Sequence, residues 1–223
     1  MKGKLVVIES GTDGSGKTTQ FRMLYKTLKE EGINPLQIDF PDYENPSSIL
    51  VRMYLRGELG EDPRKVNPYA VSTFYAADRF VSFQREWRQE YFQGRFILAD
   101  RYTTSNFIHQ ASKFKKEREK DDFLNWLWDL EFNKFELPEP DLVIFLDVPP
   151  RYSTKILQEK EDKDIHELNL DYLRETYQNG CWLAERLDWK RINCIKGERL
   201  RSVADIHQEV YSVVSKFCNI KKL

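Results

Sequence analysis

The sequence predicts an α/β fold built on a mainly parallel sheet of five strands. Two observations carry that prediction. Short β-branched apolar runs alternate with long stretches of helical apolar spacing, and a glycine-rich loop stands where the first run passes into the first helical stretch. The first strand is Lys4 to Ile8, where Glu9 ends the apolar run. Phe21, Leu24 and Leu28 then share one face of a helix. Pro35 to Phe40 forms the second strand, and Phe80, Phe83, Trp87 and Tyr91 mark the buried stripe of a later helix. Phe96 to Ala99 is the third strand and Leu142 to Asp147 the fourth. The charge run from Lys113 to Asp122 reads as a solvated helix end or loop. The stretch Gln158 to Glu167 follows the fourth strand, where either a solvated segment or a mobile lid fits. Arg191 to Ile195 is the fifth strand. The last helix buries Val203, Ile206, Val210, Val213 and Phe217, with Ser202 as its N-cap and Asp205 three positions on.

The 223 residues show no internal repeat or low-complexity linker, so one domain over 1–223 is expected. With 35 basic and 36 acidic residues the formal charge is −1, which disfavours a general nucleic-acid or acidic-membrane binder but leaves room for a local basic pocket. The longest apolar run, Leu142 to Leu146, is far shorter than the roughly 20 residues a membrane span needs. The apolar residues after Lys4 stop at Glu9, short of a signal-peptide core, so the cytoplasm is the expected compartment. Cys181, Cys194 and Cys218 have no disulfide or zinc spacing and read as reduced thiols.

The strongest motif is Gly11-Thr12-Asp13-Gly14-Ser15-Gly16-Lys17-Thr18, which fits GxxxxGK[ST] between strand and helix. Glycines let backbone N–H groups turn toward phosphate oxygens, and the following helix aims its positive end at the same anion. Lys17 reaches the β- and γ-phosphates and the Thr18 hydroxyl binds Mg²⁺; Thr19 continues the site. A nucleoside triphosphate is the expected ligand, ATP rather than GTP because no NKxD-type guanine motif occurs. A second anion site is sought at Asp100-Arg101-Tyr102, at the carboxyl end of the third strand. Arg101 suits a substrate phosphate and Asp100 suits Mg²⁺ or its waters; a purely structural ion pair between them is the alternative. Asp147 ends LVIFLD either as a Walker B carboxylate or as a strand cap.

These residues resemble the thymidylate kinases. The loop with its Asp13, the pair Phe40-Pro41, the segment Phe74-Tyr75-Ala76-Ala77-Asp78-Arg79, and Asp100-Arg101-Tyr102 followed by Ser105 and Gln110 stand in the family's order and at similar spacing. The resemblance implies a three-layer P-loop fold with strand order 2-3-1-4-5 and transfer of the ATP γ-phosphate to dTMP with Mg²⁺. It implies that Tyr75 stacks on the thymine, a contact of roughly 1–3 kcal/mol, and that Arg79 donates to a base carbonyl. Read without the resemblance, Phe74 and Tyr75 are helix core. The resemblance further places Arg101 on the monophosphate, Phe40 by the sugar or base, Ser105 and Gln110 near the thymine, and Asp13 near the 3′-hydroxyl or sugar phosphate. It also implies a homodimer packed through helices that include Val71 to Trp87.

The sequence departs from the family in places. Family members carry a catalytic arginine in the phosphate loop or in the lid, but Gly14 occupies the loop position, and 159–167 holds Lys160 and Lys163 without an arginine. Arg151 is the remaining lid candidate, in a segment placed at about 155–168. Ser10 separates Glu9 from Gly11, and Asp42 stands where an arginine helps hold the substrate phosphate, with Arg52, Arg56 and Arg64 as possible substitutes. Two alternatives follow: a kinase for another nucleoside monophosphate or for a deoxynucleoside, with Glu9 or Asp13 as base, or a weakly catalytic ATP-binding regulatory protein.

Overall fold

The computed structural model describes residues 2–153 and 164–219. Five strands, β1 (Leu5–Ser10), β2 (Leu36–Asp39), β3 (Ile97–Asp100), β4 (Leu142–Asp147) and β5 (Lys190–Asn193), form one sheet in the order β2-β3-β1-β4-β5. Every neighbouring pair is parallel. The expected order is therefore the observed one. β1, β3 and β4 are buried along their whole length, which is why they read as apolar runs rather than as alternating strands.

Two helical layers cover the sheet. On one face α1 (Lys17–Glu30) and α8 (Val203–Cys218) close over Val6, Ile8, Leu98, Ile144 and Leu146. On the other, α3 (Pro68–Ser82), α4 (Arg88–Phe92), α5 (Thr103–Ala111), α6 (Glu117–Trp128) and α7 (Leu170–Arg186) close over Leu5, Val7, Ala99, Val143 and Phe145. The short α2 (Ile49–Leu55) joins Val71 and Ile165 in a separate small cluster beside the site. Asp39 pairs in register with Asp100, and Ile8 with Asp100, so the carboxyl ends of β1, β2 and β3 meet at one level. Open parallel sheets gather ligands at that edge.

Four details differ from the sequence reading, each for a physical reason. β1 runs two residues beyond Ile8, because the Glu9 carboxylate is satisfied inside the protein by donors from residues 102–105. Phe80 is 36% exposed, whereas Phe83, Trp87 and Tyr91 are buried. A π-helical turn at Phe83–Trp87, wider than an α-turn, puts Phe80 out of phase with the rest of the stripe. On α8 the buried seam is Ile206, Val210 and Val214 at strict fourfold spacing, which leaves Val203 exposed and Val213 half-buried. The fifth strand stops at Asn193, whose side chain accepts the Ile195 N–H at 2.9 Å. Ile195–Lys196 (β6) then turns into an antiparallel ribbon with Arg199–Leu200 (β7) through Gly197 at φ 61°. The charge run begins α6, solvated as expected at Lys115 to Arg118, and Ser202 caps α8 by accepting the Asp205 N–H at 3.1 Å.

Candidate active site

β1 delivers the chain into the loop at Gly11, and α1 begins at Lys17. Gly14 and Gly16 have φ of 72° and 82°, a region where a side chain is strained. Gly11 is required for another reason: a Cβ there would lie 2.7 Å from the Tyr177 Cα of α7, against which the loop runs. Ser15 Oγ is buried inside the loop without a hydrogen-bond partner, a donor of the kind an anion in this cradle would take up. Thr18 and Thr19 are exposed at the start of α1.

A cavity of about 580 Å³ opens beside this loop. It brings together Asp13, Gly14, Lys17 and Thr18 from the loop, Asp100, Arg101, Ser105 and Gln110 from β3 and α5, Phe40 after β2, and Tyr75 and Arg79 from α3. Gly11, Ser15, Gly16 and Thr19 stay on the loop outside its wall. Lys17 is paired with Asp100, and the Thr18 hydroxyl donates to the second Asp100 oxygen at 3.2 Å. An oxygen pair of this kind suits a hard cation such as Mg²⁺, which takes one or two protein oxygens and completes its shell with phosphate and water. No cluster of three or more His, Cys, Asp or Glu ligands occurs among the described residues.

Arg101 is paired with Asp13. Burial works against the Asp13 charge, yet Arg101 beside it holds its carboxyl well below the usual range, and the same pairing pushes Arg101 up. A carboxylate so stabilised is a poor proton acceptor, which argues against Asp13 as a general base. Glu9 does not line the cavity and is fully buried under α5, so it cannot reach an acceptor hydroxyl either. Asp39 faces Asp100 across the β2–β3 edge, and burial followed by the Asp100 charge raises its carboxyl.

The far end of the cavity is aromatic, with the acidic side chains of Asp164 and Glu167 on the same wall. Tyr75 and Gln110 line it with His109, His166 and Tyr43. The rings of His109 and His166 stack with centroids 5.3 Å apart, and the His166 Nε2 and Tyr54 hydroxyl are hydrogen-bonded at 2.9 Å. Burial lowers both imidazoles, His166 to about 3, so neither carries a charge at neutral pH. Phe40 is buried against the Tyr102 ring, 5.9 Å between centroids. Arg79 is buried too, and Glu131 from the π-helical turn Asp129–Lys134 grips it from Nε at 2.6 Å and from a terminal nitrogen at 2.5 Å. The Thr103 hydroxyl donates to the same carboxylate at 2.6 Å.

Several expected residues lie elsewhere. Arg151 is exposed, with its guanidinium over the Tyr152 ring 5.0 Å from the centroid. Lys160 and Lys163 lie outside the described residues, as does most of the lid at about 155–168. Its described end, Asp164 to Glu167, forms part of the cavity wall, anchored by the Ile165 N–H on the Leu55 carbonyl at 3.1 Å. Asp147 accepts from Tyr177 at 2.8 Å and pairs with Arg191 at 2.8 Å, which makes it a strand-end anchor for α7 and β5 rather than a metal ligand at the loop. Arg52 donates to the Tyr43 carbonyl, and Arg56 and Arg64 pair with Glu58 and Asp62 on the surface, so none of them supplies a cation to the cavity wall. Sequence reasoning missed Asp39, His109, His166 and Glu131. Asp39 lay at a strand end, His109 inside a motif already quoted and His166 inside the lid segment, while Glu131 carries no local signal.

The model of the family described as thymidylate kinase matches residues 8–210. Proteins named "Probable thymidylate kinase" from Thermococcus onnurineus and Pyrococcus horikoshii are 31% and 29% identical, covering 94% and 96% of this chain and 96% and 97% of their own. The solved thymidylate kinase of Candida albicans has the same fold, with a TM-score of 0.68 and 20% identity over 99% of this chain and 94% of that one. With the phosphate loop, the Asp-Arg-Tyr element and the aromatic end in one cavity, and with matches that span nearly the whole sequence, this chain belongs to the thymidylate kinase family.

Proposed function

We infer that the protein transfers the γ-phosphoryl group of ATP to the phosphate of dTMP, giving ADP and dTDP. The observation that carries this reading is one cavity that brings together a phosphate loop, a paired arginine and an aromatic and amide wall. The loop N–H groups and Lys17 hold the triphosphate at the positive end of α1. Arg101 exchanges its Asp13 partner for the acceptor phosphate, where a guanidinium fork gives two charge-assisted bonds. Tyr75 stacks on the base, Gln110 pairs with its polar edge, and Arg79, aimed by Glu131, faces a carbonyl. Phe40 and Ser105 bound the sugar side. Thr18 and Asp100 are the residues that would hold Mg²⁺, which when bound neutralises charge on the phosphates. Transfer is in line between the two phosphates, and no covalent protein intermediate is needed.

Among the described residues the cationic side chains on the cavity wall are Lys17, Arg79 and Arg101. Lys17 and Arg101 therefore carry the positive charge that a loop or lid arginine supplies in other members, with Lys160 and Lys163 as further candidates. Residues 1–223 act as a single kinase domain in the cytoplasm; no helix among the described residues is long and apolar enough to cross a membrane. A homodimer through helices that include Val71 to Trp87 is supported by Phe80, a large apolar side chain left 36% exposed on α3.

The test is ADP release with ATP and Mg²⁺ against dTMP, dUMP, dCMP, dGMP, AMP, thymidine and no acceptor. Strong dTMP-selective turnover is expected. Turnover with thymidine but not dTMP would make the protein a nucleoside kinase, and ATP binding without transfer to any acceptor would make it regulatory.

A further inference from the structure

Glu9 is fully buried, lies outside the cavity and takes no part in the transfer outlined above. Side chains alternate across a strand, so Glu9 shares the sheet face of Leu5 and Val7, under α5, whereas Ser10 shares that of Val6 and Ile8. The Glu9 carboxylate collects donors from a single turn. The Tyr102 N–H reaches it at 3.2 Å, the Thr104 hydroxyl at 2.6 Å, and the Ser105 hydroxyl lies 2.8 and 2.9 Å from its two oxygens. The preceding N–H, that of Arg101, donates to the Ile8 carbonyl at 3.3 Å. Two successive amides are thus held by β1, one through its backbone and one through the Glu9 side chain.

At this turn Arg101 has φ 69°, the left-handed region that a non-glycine residue keeps only where its surroundings dictate it. From that conformation its side chain reaches the cavity beside Asp13. We propose that Glu9 is a positioning residue for acceptor binding: by anchoring Tyr102, Thr104 and Ser105 it holds Arg101 in the turn that presents its guanidinium to the cavity. Glu9 thereby ties the strand that carries the phosphate loop to the helix that carries the acceptor site. The inference rests on the reading of Arg101 as the acceptor-phosphate residue. Burial raises the Glu9 carboxyl above its usual range, against Arg101, the Thr104 hydroxyl, Lys17 and Ser105, which favour its charged form.

The experiment compares Glu9→Gln, which exchanges the carboxyl for an amide of the same size and so replaces one accepting oxygen by a donor, with Thr104→Val, which removes one donor at constant shape, and with Arg101→Ala, all in the full chain. The expected loss in kcat/KM for dTMP is about tenfold or more for Glu9→Gln and roughly threefold for Thr104→Val, with KM for ATP changed by less than about twofold. Equal rises in KM for both substrates, or a fall in melting temperature without any change in kcat/KM for dTMP, would overturn the proposal. Should Glu9→Gln fail to fold, Thr104→Val decides by the same criterion. If Arg101→Ala weakens dTMP use and neither Glu9→Gln nor Thr104→Val does, only the role of Glu9 falls. If Arg101→Ala leaves dTMP use intact, the acceptor-site reading falls and the inference with it.

Discussion

Replacing Glu131 by leucine removes the carboxylate that holds Arg79 and leaves a guanidinium in the interior without its partner. The side chains are 1% and 0% exposed, and two bonds of 2.6 and 2.5 Å join them. Removing one member of such a pair costs about 3–5 kcal/mol, because the other charge stays buried and uncompensated. In a chain of 223 residues each kcal/mol is worth about 2–4 °C, so Glu131→Leu should melt roughly 6–20 °C below the native protein. Arg79→Met should cost a comparable amount, since the orphaned carboxylate keeps only the Thr103 hydroxyl. The double variant replaces both charges with apolar side chains and should be more stable than either single one, within about 2 kcal/mol of the native protein. Thermal and urea unfolding of the four proteins form the cycle. A double variant that loses the sum of the two single losses would show that the pair is uncoupled, and the description of Glu131 as the residue that aims Arg79 would fail. Kinetics add a second criterion, because the refolded double variant lacks the arginine and should still lose discrimination between dTMP and other acceptors.

The remaining predictions concern the loop, the phosphate site and pH. Gly11→Ala forces a Cβ to within 2.7 Å of the Tyr177 Cα, so the loop must move off α7; ATP affinity measured by titration calorimetry should fall at least about tenfold, and unchanged affinity would show that the loop has slack. Arg101→Ala should depress kcat/KM for dTMP while ATP binding stays near native, whereas Lys17→Ala should damage ATP binding and transfer together; identical profiles for the two variants would contradict the assignment of separate phosphates. Burial holds His109 and His166 below their ordinary value of 6.5, His166 at about 3, against the nearby Asp13 charge that favours protonation and the Arg101 and Lys113 charges that oppose it. Below pH 6.5, and down to about pH 3 for His166, the unfolded chain binds protons that the folded one refuses, so this contribution to stability is complete above about pH 6.5 and falls with acid by up to about 1.4 kcal/mol per pH unit for each histidine. Melting temperature against pH should show this slope and lose part of it in His166→Phe; an unchanged slope in that variant would remove His166 from the account.

By itself the sequence determined the sheet, its helical layers and the phosphate loop, because each of these rests on short-range physics. A fully buried parallel strand is a continuous apolar run, and a phosphate cradle needs glycines, a lysine and a hydroxyl at fixed offsets within eight residues. Asp100-Arg101-Tyr102 was legible for the same reason, as a strand end beside the loop. What the tertiary structure alone decided is which distant groups face one another. Glu131 meets Arg79 across 52 positions, His166 meets Tyr54 across 112, and Ser105 meets Glu9 across 96. Glu9 looked like the end of a strand, since a charge on its own leaves an apolar run; only the chain brought back by β3 and α5 provides the donors that keep it inside. The same holds for Asp147, which has the outline of a metal ligand until Arg191 and Tyr177 arrive to occupy it. A buried charge is defined by its partners. Those partners come from segments whose approach depends on the packing of the whole sheet, so no local pattern of residues could encode them.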